Sequence, residues 1–258
     1  MRTFIPLLLA GFLFISASLP RDSYIDERTS TEIIFSLQEN MFPQHWYSKK
    51  INAEVEPLVR EERQRVVNIL ARAFLKYPEK LLRENLDRVY AFKSMKFFGV
   101  PYGGTNTKNT IYLADDENNP GFTDAYIESV FHHELSSVLL RSYPGVFNMS
   151  AWQTINSPGF MYGNGGVEAI LNGEASMRFD PELFERGFLT RYSQASPEED
   201  INVFAQNLFT GGSSFWDIVD ENMRIRKKAS MLIGFYQAID PSLTEEYFRD
   251  LNLRFAER

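Results

Sequence analysis

The chemically distinctive stretch of the sequence is FHHELSSVLL, residues 131–140. It contains His133 followed directly by Glu134, and Ser137 stands four residues after the histidine. Side chains four residues apart on a helix lie on one face, so two histidines at this spacing can share a zinc ion while the glutamate reaches a bound water. His133 and Glu134 supply the first half of this arrangement, and Ser137 occupies the place of the second histidine.

Ser137 weakens the metal site that the pattern would otherwise predict. A serine hydroxyl is short and neutral, whereas zinc in proteins is usually held by His, Cys or carboxylate side chains. His132 points about a quarter-turn or more away from His133 on a helix, and His45 stands in the N-terminal segment. The sequence has no cysteine, which excludes thiolate ligands, thiol catalysis and disulfides. Taken alone, His133 and Glu134 also fit a structural hydrogen-bonded pair.

A second candidate group lies in GFLTRYSQASPEEDINVFAQNLF, residues 187–209. Tyr192 precedes Glu199 by seven residues, and the carboxylate of Glu199 could bind a metal. The letters SPEE, residues 196–199, also form a capping box, with the serine at the N-cap and Glu199 at the third helical position. A capping glutamate needs no metal, so both interpretations of Glu199 stay open.

The elements before the opening motif follow from the hydrophobic pattern. Residues 57–77 have apolar positions at helical spacing and predict an amphipathic helix that begins at Pro57. Residues 88–97 and 109–116 are rich in β-branched and aromatic residues and predict two strands. The glycine-containing residues 103–109 between them predict a turn.

The helix that carries the opening motif is predicted over residues 123–142, with Thr123 as its N-cap. Its apolar face consists of Ile127, Phe131, Leu135 and Val138. The glycine-rich residues 157–173 predict a plain loop, because they lack the lysine and the spacing of a phosphate-binding loop. Three further helices are predicted over residues 197–209, 215–238 and 243–255.

These elements predict an α+β fold, in which a small mixed sheet precedes a mostly helical C-terminal half. With 258 residues and 44% hydrophobic content, the chain is long enough for a sizeable core. We expect residues 20–56 to form an extended N-terminal segment and residues 57–258 to form a single domain.

The N-terminus has the layout of a signal peptide. Arg2 precedes an apolar run from Phe4 to Ile15, and small residues follow near the expected cleavage site at residue 19. An uncleaved membrane anchor is the alternative, but the run is shorter than the roughly 20 apolar residues that span a bilayer. We therefore expect a secreted or periplasmic protein that is not held in a membrane after cleavage.

The charge distribution bears on the partners of the protein. The formal net charge is −7 and the basic runs are short, which argues against nucleic acid as a partner. The sequence contains no other cofactor-binding motif, and it does not indicate an oligomeric state.

In their order along the chain, the His133–Glu134 pair and the later Gly-Phe…Tyr…Glu-Asp pattern resemble the gluzincin metallopeptidases. The resemblance is to the lethal-factor-like group and related secreted zinc-binding metallopeptidases, and it covers roughly residues 86–210. It implies a zincin-like fold in which His133 and Glu199 are zinc ligands, Glu134 is the general base, and Tyr192 stabilises the oxyanion. It also implies that residues 109–116 are the edge strand, which can pair with an extended peptide substrate.

Two principal functions therefore remain open. In the first, a zinc metallopeptidase hydrolyses peptide bonds, and its third donor is Ser137 through a bridging water or an unidentified group. In the second, a catalytically inactive gluzincin-fold protein binds a peptide or protein without metal, and at least one of Glu134 and Glu199 has a raised pKa. A helical domain without any cleft function is a third option, which requires His133 and Glu199 to lie far apart.

Overall fold

The predicted α+β fold is confirmed in the computed structural model, which describes residues 22–116 and 119–255. The predicted signal peptide, residues 1–19, lies outside these ranges. Within them, no helix has the length and apolar character needed to cross a membrane. The strands are concentrated in the first half of the chain, and the helices dominate the second.

One mixed sheet carries the strands. They are β1 (Ser23–Ile25), β2 (Glu32–Ile34), β3 (Glu54–Pro57), β4 (Arg88–Phe97), β5 (Val100–Pro101), β6 (Gly104–Asn106) and β7 (Thr110–Ala114). The main order is β1-β2-β4-β7-β6, and β3 and β5 pair with β4. β4 runs parallel to β2 and to β7, whereas β6 runs antiparallel to β7. The predicted segment 20–56 thus contributes β1, β2 and most of β3.

The predicted position of the edge strand, residues 109–116, is wrong. Residues 109–116 contain β7, which lies between β4 and β6 and is buried along its whole length. The edge strand on this side of the sheet is β6, which lies within the predicted turn 103–109. An interior parallel strand is covered on both faces and therefore has a continuous apolar sequence, as β7 does.

The helices enclose one face of this sheet. They are α1 (Arg63–Leu75), α2 (Glu79–Asn85), α3 (Asp124–Ser142), α4 (Met149–Thr154), α5 (Gly166–Leu171), α6 (Pro181–Phe184), α7 (Pro197–Thr210), α8 (Gly212–Glu221), α9 (Met223–Ile239) and α10 (Glu245–Phe255). The motif helix α3 is the predicted one, and the Thr123 side chain accepts a hydrogen bond from the Tyr126 backbone N–H at its start.

Two predicted helix boundaries are wrong. The first helix begins at Arg63, because Pro57 pairs with Phe92 at an irregularity in the β3–β4 ladder. The predicted helix 215–238 is divided into α8 and α9 at Asn222, whose backbone is extended. The Asn222 side chain donates a 2.9 Å hydrogen bond to the Ile218 carbonyl and ends α8.

The alternation of side chains along the strands divides the core into two parts. Val89 and Ile111 face the main core, where α1, α3 and α7 pack. Tyr90 and Tyr112 face the opposite side, which is covered by residues from the segment 41–55. His45 belongs to that segment: it is exposed, and its ring contacts Trp46. It therefore lies on the opposite face of the sheet from α3.

Candidate functional site

His133 and Glu199 meet where α3 packs against α7. The His133 Nε2 and Glu199 Oε2 atoms are 3.0 Å apart, although the residues are separated by 66 positions in sequence. The other ring nitrogen, Nδ1, lies 3.0 Å from Gln206 Oε1. Both nitrogens of this buried imidazole are therefore engaged by side chains of α7, one in its first turn and one two turns later.

Ser137 forms the next contact between the two helices. Its hydroxyl donates to Glu198 Oε1 at 2.6 Å and accepts a 2.7 Å hydrogen bond from Asn202 Nδ2. Arg141 also reaches Glu198 Oε1, at 3.2 Å. The side chain that stands in the place of a second histidine is thus buried and bonded within the α3–α7 interface.

Glu134 lies on the side of α3 that faces the edge strand. Its Oε2 accepts a 2.5 Å hydrogen bond from Asn106 of β6, and its side chain is buried. A Cβ atom on Gly104 would collide with Val130 and would lie 2.7 Å from Glu134 Oε1. A glycine at position 104 therefore allows β6 to lie directly on α3.

Tyr192 and the glycine-rich segment close the other side of the site. Tyr192 begins a short 3₁₀ turn, and its ring centroid is 6.1 Å from that of His133. A Cβ on Gly166 would collide with the Tyr192 hydroxyl and would lie 2.5 Å from Glu199 Oε1. The predicted plain loop 157–173 is therefore wrong in one respect: it contains α5, whose first residue packs on two candidate site residues.

Burial and neighbouring charges shift the pKa values of Glu134 and His133. Burial raises the pKa of Glu134, while the charge of His133 and the hydrogen bond from Asn106 lower it. The effect of burial is the larger, and the resulting pKa is about 7. Burial lowers the pKa of His133, but hydrogen bonding and the charge of Glu199 outweigh it and raise the value to about 9. The expected upward shift of a cleft carboxyl is thus confirmed for Glu134, with burial as its main cause. At neutral pH the geometry holds an imidazolium beside Glu199.

The three tyrosines around the site are also affected by these carboxylates. Burial and the charges of Glu199 and Glu134 raise the pKa of Tyr192 far above its ordinary value. Burial and Glu199 raise the pKa of Tyr102 to about 12. Burial and Glu134 raise the pKa of Tyr126 as well. Burial is thus the main effect that opposes ionisation of these three hydroxyls, and the neighbouring carboxylates add to it.

The donor atoms fall short of a catalytic zinc site. Such sites use three protein ligands and keep a fourth position for water or substrate. His133 and Glu199 are two ligands of suitable type, while Ser137 offers a neutral hydroxyl already bonded to Glu198 and Asn202. Across residues 22–116 and 119–255, no group of three or more His, Cys, Asp or Glu side chains could hold a metal ion. The residues present do not fit a three-ligand zinc centre.

A buried ion pair that the sequence analysis did not predict lies beneath the site. Asp200 Oδ2 accepts hydrogen bonds from Lys228 Nζ at 2.5 Å, Trp152 Nε1 at 2.9 Å and Tyr162 Oη at 2.7 Å. Both charged side chains are fully buried, and Asp200 directly follows Glu199. The pair therefore fixes the first turn of α7, which carries the site carboxylates.

His132 belongs to the core and not to the cleft. It is fully buried, its Nδ1 lies 2.8 Å from the Tyr77 hydroxyl, and its ring stacks on Phe209 at 4.6 Å. Burial lowers its pKa to about 4, so the ring is neutral at pH 7. It is a hydrogen-bonded structural histidine.

A cavity of about 260 Å³ adjoins the site. It is lined by Pro101, Tyr102, Gly103, Gly104, Tyr126, Ser129, Val130, His133, Glu134, Ile170, Ala175, Met177, Tyr192 and Gln206. A larger cavity, of about 430 Å³, lies beside the glycine-rich segment but includes neither His133 nor Glu134. The smaller cavity is therefore the one that can present a ligand to these side chains.

Comparison with solved structures supports the fold. The chain resembles a crystal structure described as "a putative zinc-binding metallo-peptidase" from Bacteroides caccae ATCC 43185, with a TM-score of 0.54 and 14% sequence identity. The match covers 78% of each chain. No protein-family model and no curated protein matches this sequence. At this identity the likeness shows a metallopeptidase-like fold.

Proposed function

We propose that this protein binds an extended peptide or protein segment in the cleft between β6 and the glycine-rich segment, without zinc-dependent cleavage. The observation that carries the proposal is the bonding of Ser137. Its hydroxyl joins Glu198 and Asn202 where a zinc peptidase of this type would present a second histidine. His133 and Glu199 then bond to each other and hold the cleft together.

The edge strand supplies a surface for such a segment. Gly103 O accepts from Ala114 N, and Thr107 N donates to Thr110 O, each at 2.8 Å. Because peptide groups alternate in direction along an antiparallel strand, those of Gly104 and Asn106 point away from β7. An extended chain can add to β6 through these groups.

Zinc-dependent peptide hydrolysis is the competing function, and the fold and the proximity of His133 to Glu199 favour it. In that case Glu134 is the general base and Tyr192 stabilises the oxyanion. It requires a third donor, which Ser137 provides only by giving up its present partners or by acting through a water. We therefore place peptide binding first. Export to the periplasm or the medium is part of the same proposal.

Peptide display tests the proposal. Random heptapeptides are selected on the purified protein, and the affinity of the recovered peptides is measured by fluorescence anisotropy. We expect Ala175→Phe, which fills the cavity beside the site, to weaken binding at least about tenfold. The matched control is Met223→Phe, which adds the same ring to an exposed position on α9 and should leave the affinity unchanged.

The same peptides distinguish the two functions. After incubation with the protein and added zinc, mass spectrometry should find them intact. Cleavage by the wild type that is lost in Glu134→Gln would establish the hydrolase. Failure to recover any peptide whose binding depends on the cleft would contradict the proposed binding function.

A further inference from the structure

The cavity beside Glu134 combines aromatic walls with a buried carboxylate. Tyr102, Tyr126 and Tyr192 all line it, and Glu134 lies among them with 7% of its surface exposed. The aliphatic side chains Val130, Ile170 and Met177 complete the wall. The chemistry of the cavity is therefore neither purely apolar nor that of an exposed acidic patch.

Among the residues that the structure describes, Glu134 has no full cationic partner in the cavity. Neither lysine nor arginine occurs among the described residues that line it. The His133 nitrogens face Glu199 and Gln206, and the nearby Arg141 bonds to Glu198, Asn106 and the Thr107 carbonyl. Asn106 donates to Glu134 Oε2, but Oε1 accepts no hydrogen bond from any residue in the described ranges. His133 is thus the nearby cationic group for both carboxylates, Glu134 and Glu199, and of the two it bonds only to Glu199.

The tyrosines suit a cation. The face of an aromatic ring attracts ammonium and guanidinium groups. The Tyr102 hydroxyl oxygen is buried and has no hydrogen-bond partner among the described residues. It could accept a hydrogen bond from a bound N–H group, which would satisfy an otherwise unpaired polar atom.

Gly104 determines which side chain of a bound segment enters the cavity. A side chain at position 104 would point toward Val130 and Glu134. Residues directly opposite one another on paired strands project their side chains to the same face of the sheet. A residue paired with Gly104 would therefore project its side chain toward Glu134, and the missing side chain at position 104 leaves room for it.

We propose that this cavity receives the side chain of a lysine or arginine from the bound segment. The inference rests on the proposed peptide-binding function and names its preferred ligand. The cationic head pairs with Glu134 and the Tyr102 hydroxyl, while the methylene stem packs on Val130, Ile170 and Met177. An apolar side chain of the same length would fill the space but would leave the buried carboxylate without a counterion, which is unfavourable.

A series of heptapeptides tests this assignment. The probes are acetyl-Thr-Val-Thr-Xaa-Thr-Val-Thr-amide, in which Xaa is lysine, arginine, norleucine, citrulline or glutamate. Norleucine matches the lysine stem without its charge, and citrulline matches the shape of arginine without its charge. We expect the lysine and arginine peptides to bind at least about tenfold more tightly than their neutral counterparts, because only they supply a counterion.

Two variants locate the effect. In Glu134→Gln, the preference for lysine over norleucine should shrink to within about twofold, because the carboxylate is gone. Glu182→Gln is the matched control: it removes an exposed acid that lines the larger cavity, and the preference should persist.

The outcomes separate this inference from the function on which it rests. Equal binding of charged and neutral peptides, or a preference for norleucine, overturns the inference and leaves the binding function standing. A charge preference that survives in Glu134→Gln also overturns it. If neither this series nor display-selected peptides bind, the proposed function is wrong, and the assignment of the cavity fails with it.

Discussion

His133 Nε2 and Glu199 Oε2 lie 3.0 Å apart, bonded directly to each other across the α3–α7 interface. The contact belongs to a wider polar seam, which we define as His133, Ser137, Glu198, Glu199, Asn202 and Gln206. Residues 198, 202 and 206 recur every four positions, so they lie on one face of α7. They contact His133 and Ser137, which are four positions apart on α3. A zinc peptidase would use the side chains at this interface to hold a metal ion. Here His133 and Ser137 form hydrogen bonds with side chains of α7 instead.

Restoring the missing histidine tests the geometry of the seam. Ser137→His places an imidazole four residues after His133 and opposite Glu199, which would complete a three-ligand zinc site. We expect the variant to bind one zinc per chain at least about 100-fold more tightly than the wild type, since it gains a strong ligand. Isothermal titration calorimetry with zinc measures this difference.

Two controls accompany that titration. Ser137→Ala breaks the same hydrogen bonds without adding a ligand and should gain no zinc affinity. Ser137→His/Glu199→Ala should lose the affinity that the histidine creates. If Ser137→His gains nothing, even when Asn202→Ala makes room for the ring, Glu199 is not positioned as a ligand.

The raised pKa of Glu134 predicts a pH-dependent stability. Its ordinary value is 4.5 and its value in the folded protein is about 7, so folding disfavours the ionised form. The stability attached to this group is fully present below about pH 4.5 and is lost as pH rises through about 7. Glu134→Gln should therefore match the wild type near pH 4.5 and exceed its unfolding free energy by about 1–3 kcal/mol near pH 8.

Urea unfolding at the two pH values checks this prediction. His133 contributes in the same sense over a higher pH range: its raised pKa stabilises the fold below about pH 6.5, and that contribution is lost as pH rises through about 9. The difference between wild type and Glu134→Gln isolates the carboxyl group. A difference that is the same at both pH values would contradict the burial of an uncompensated Glu134.

The glycine-rich segment offers a test of close packing. A methyl group added by Gly166→Ala would collide with the Tyr192 hydroxyl and with Glu199. We expect this variant to lose about 1–3 kcal/mol of unfolding free energy, because the crowded groups must move. Gly163→Ala, whose nearest neighbour would be at 3.4 Å, is the control from the same segment and should change stability little. Equal denaturation midpoints for the two variants would argue against the packing of α5 on the site.

Breaking the buried ion pair beneath α7 should lower the unfolding free energy strongly, and a second substitution should restore part of it. Lys228→Met leaves Asp200 buried without its cation and should cost about 3–5 kcal/mol of unfolding free energy. Lys227→Met alters the exposed neighbour and should stay within about 0.5 kcal/mol of the wild type. Adding Asp200→Asn to Lys228→Met should recover part of the loss. Chemical denaturation that gives the two single variants equal stability would contradict this account.

Elements with a strong hydrophobic period could be predicted from the sequence. Residues 88–97 form β4 and residues 124–142 form α3, because each is long enough for its apolar pattern to identify a buried face. β6 could not be predicted, since two of its three residues, Gly104 and Asn106, are depleted in strands, and the strand is held by pairing with β7. The start of α1 was misplaced because Pro57 suits either a first helical turn or the end of a strand.

The site divides in a similar way. The sequence pattern indicated His133, Glu134, Tyr192 and Glu199 as candidates, and the fold brings these side chains close together. The partners of Ser137 could not be inferred, because they depend on how α3 and α7 are rotated against each other. Lys228 belongs to the basic run 224–228, a composition typical of exposed residues, and only tertiary packing shows that it is buried.

The zinc content of the wild-type protein shows directly whether the polar seam holds a metal ion. The protein is purified without chelators or immobilised metal, dialysed against limiting zinc, and measured by elemental analysis beside His133→Ala and Glu199→Ala. We expect substoichiometric zinc in the wild type and no difference among the three proteins. One zinc per wild-type chain that disappears in both variants would contradict the metal-free seam and would establish a metal centre there.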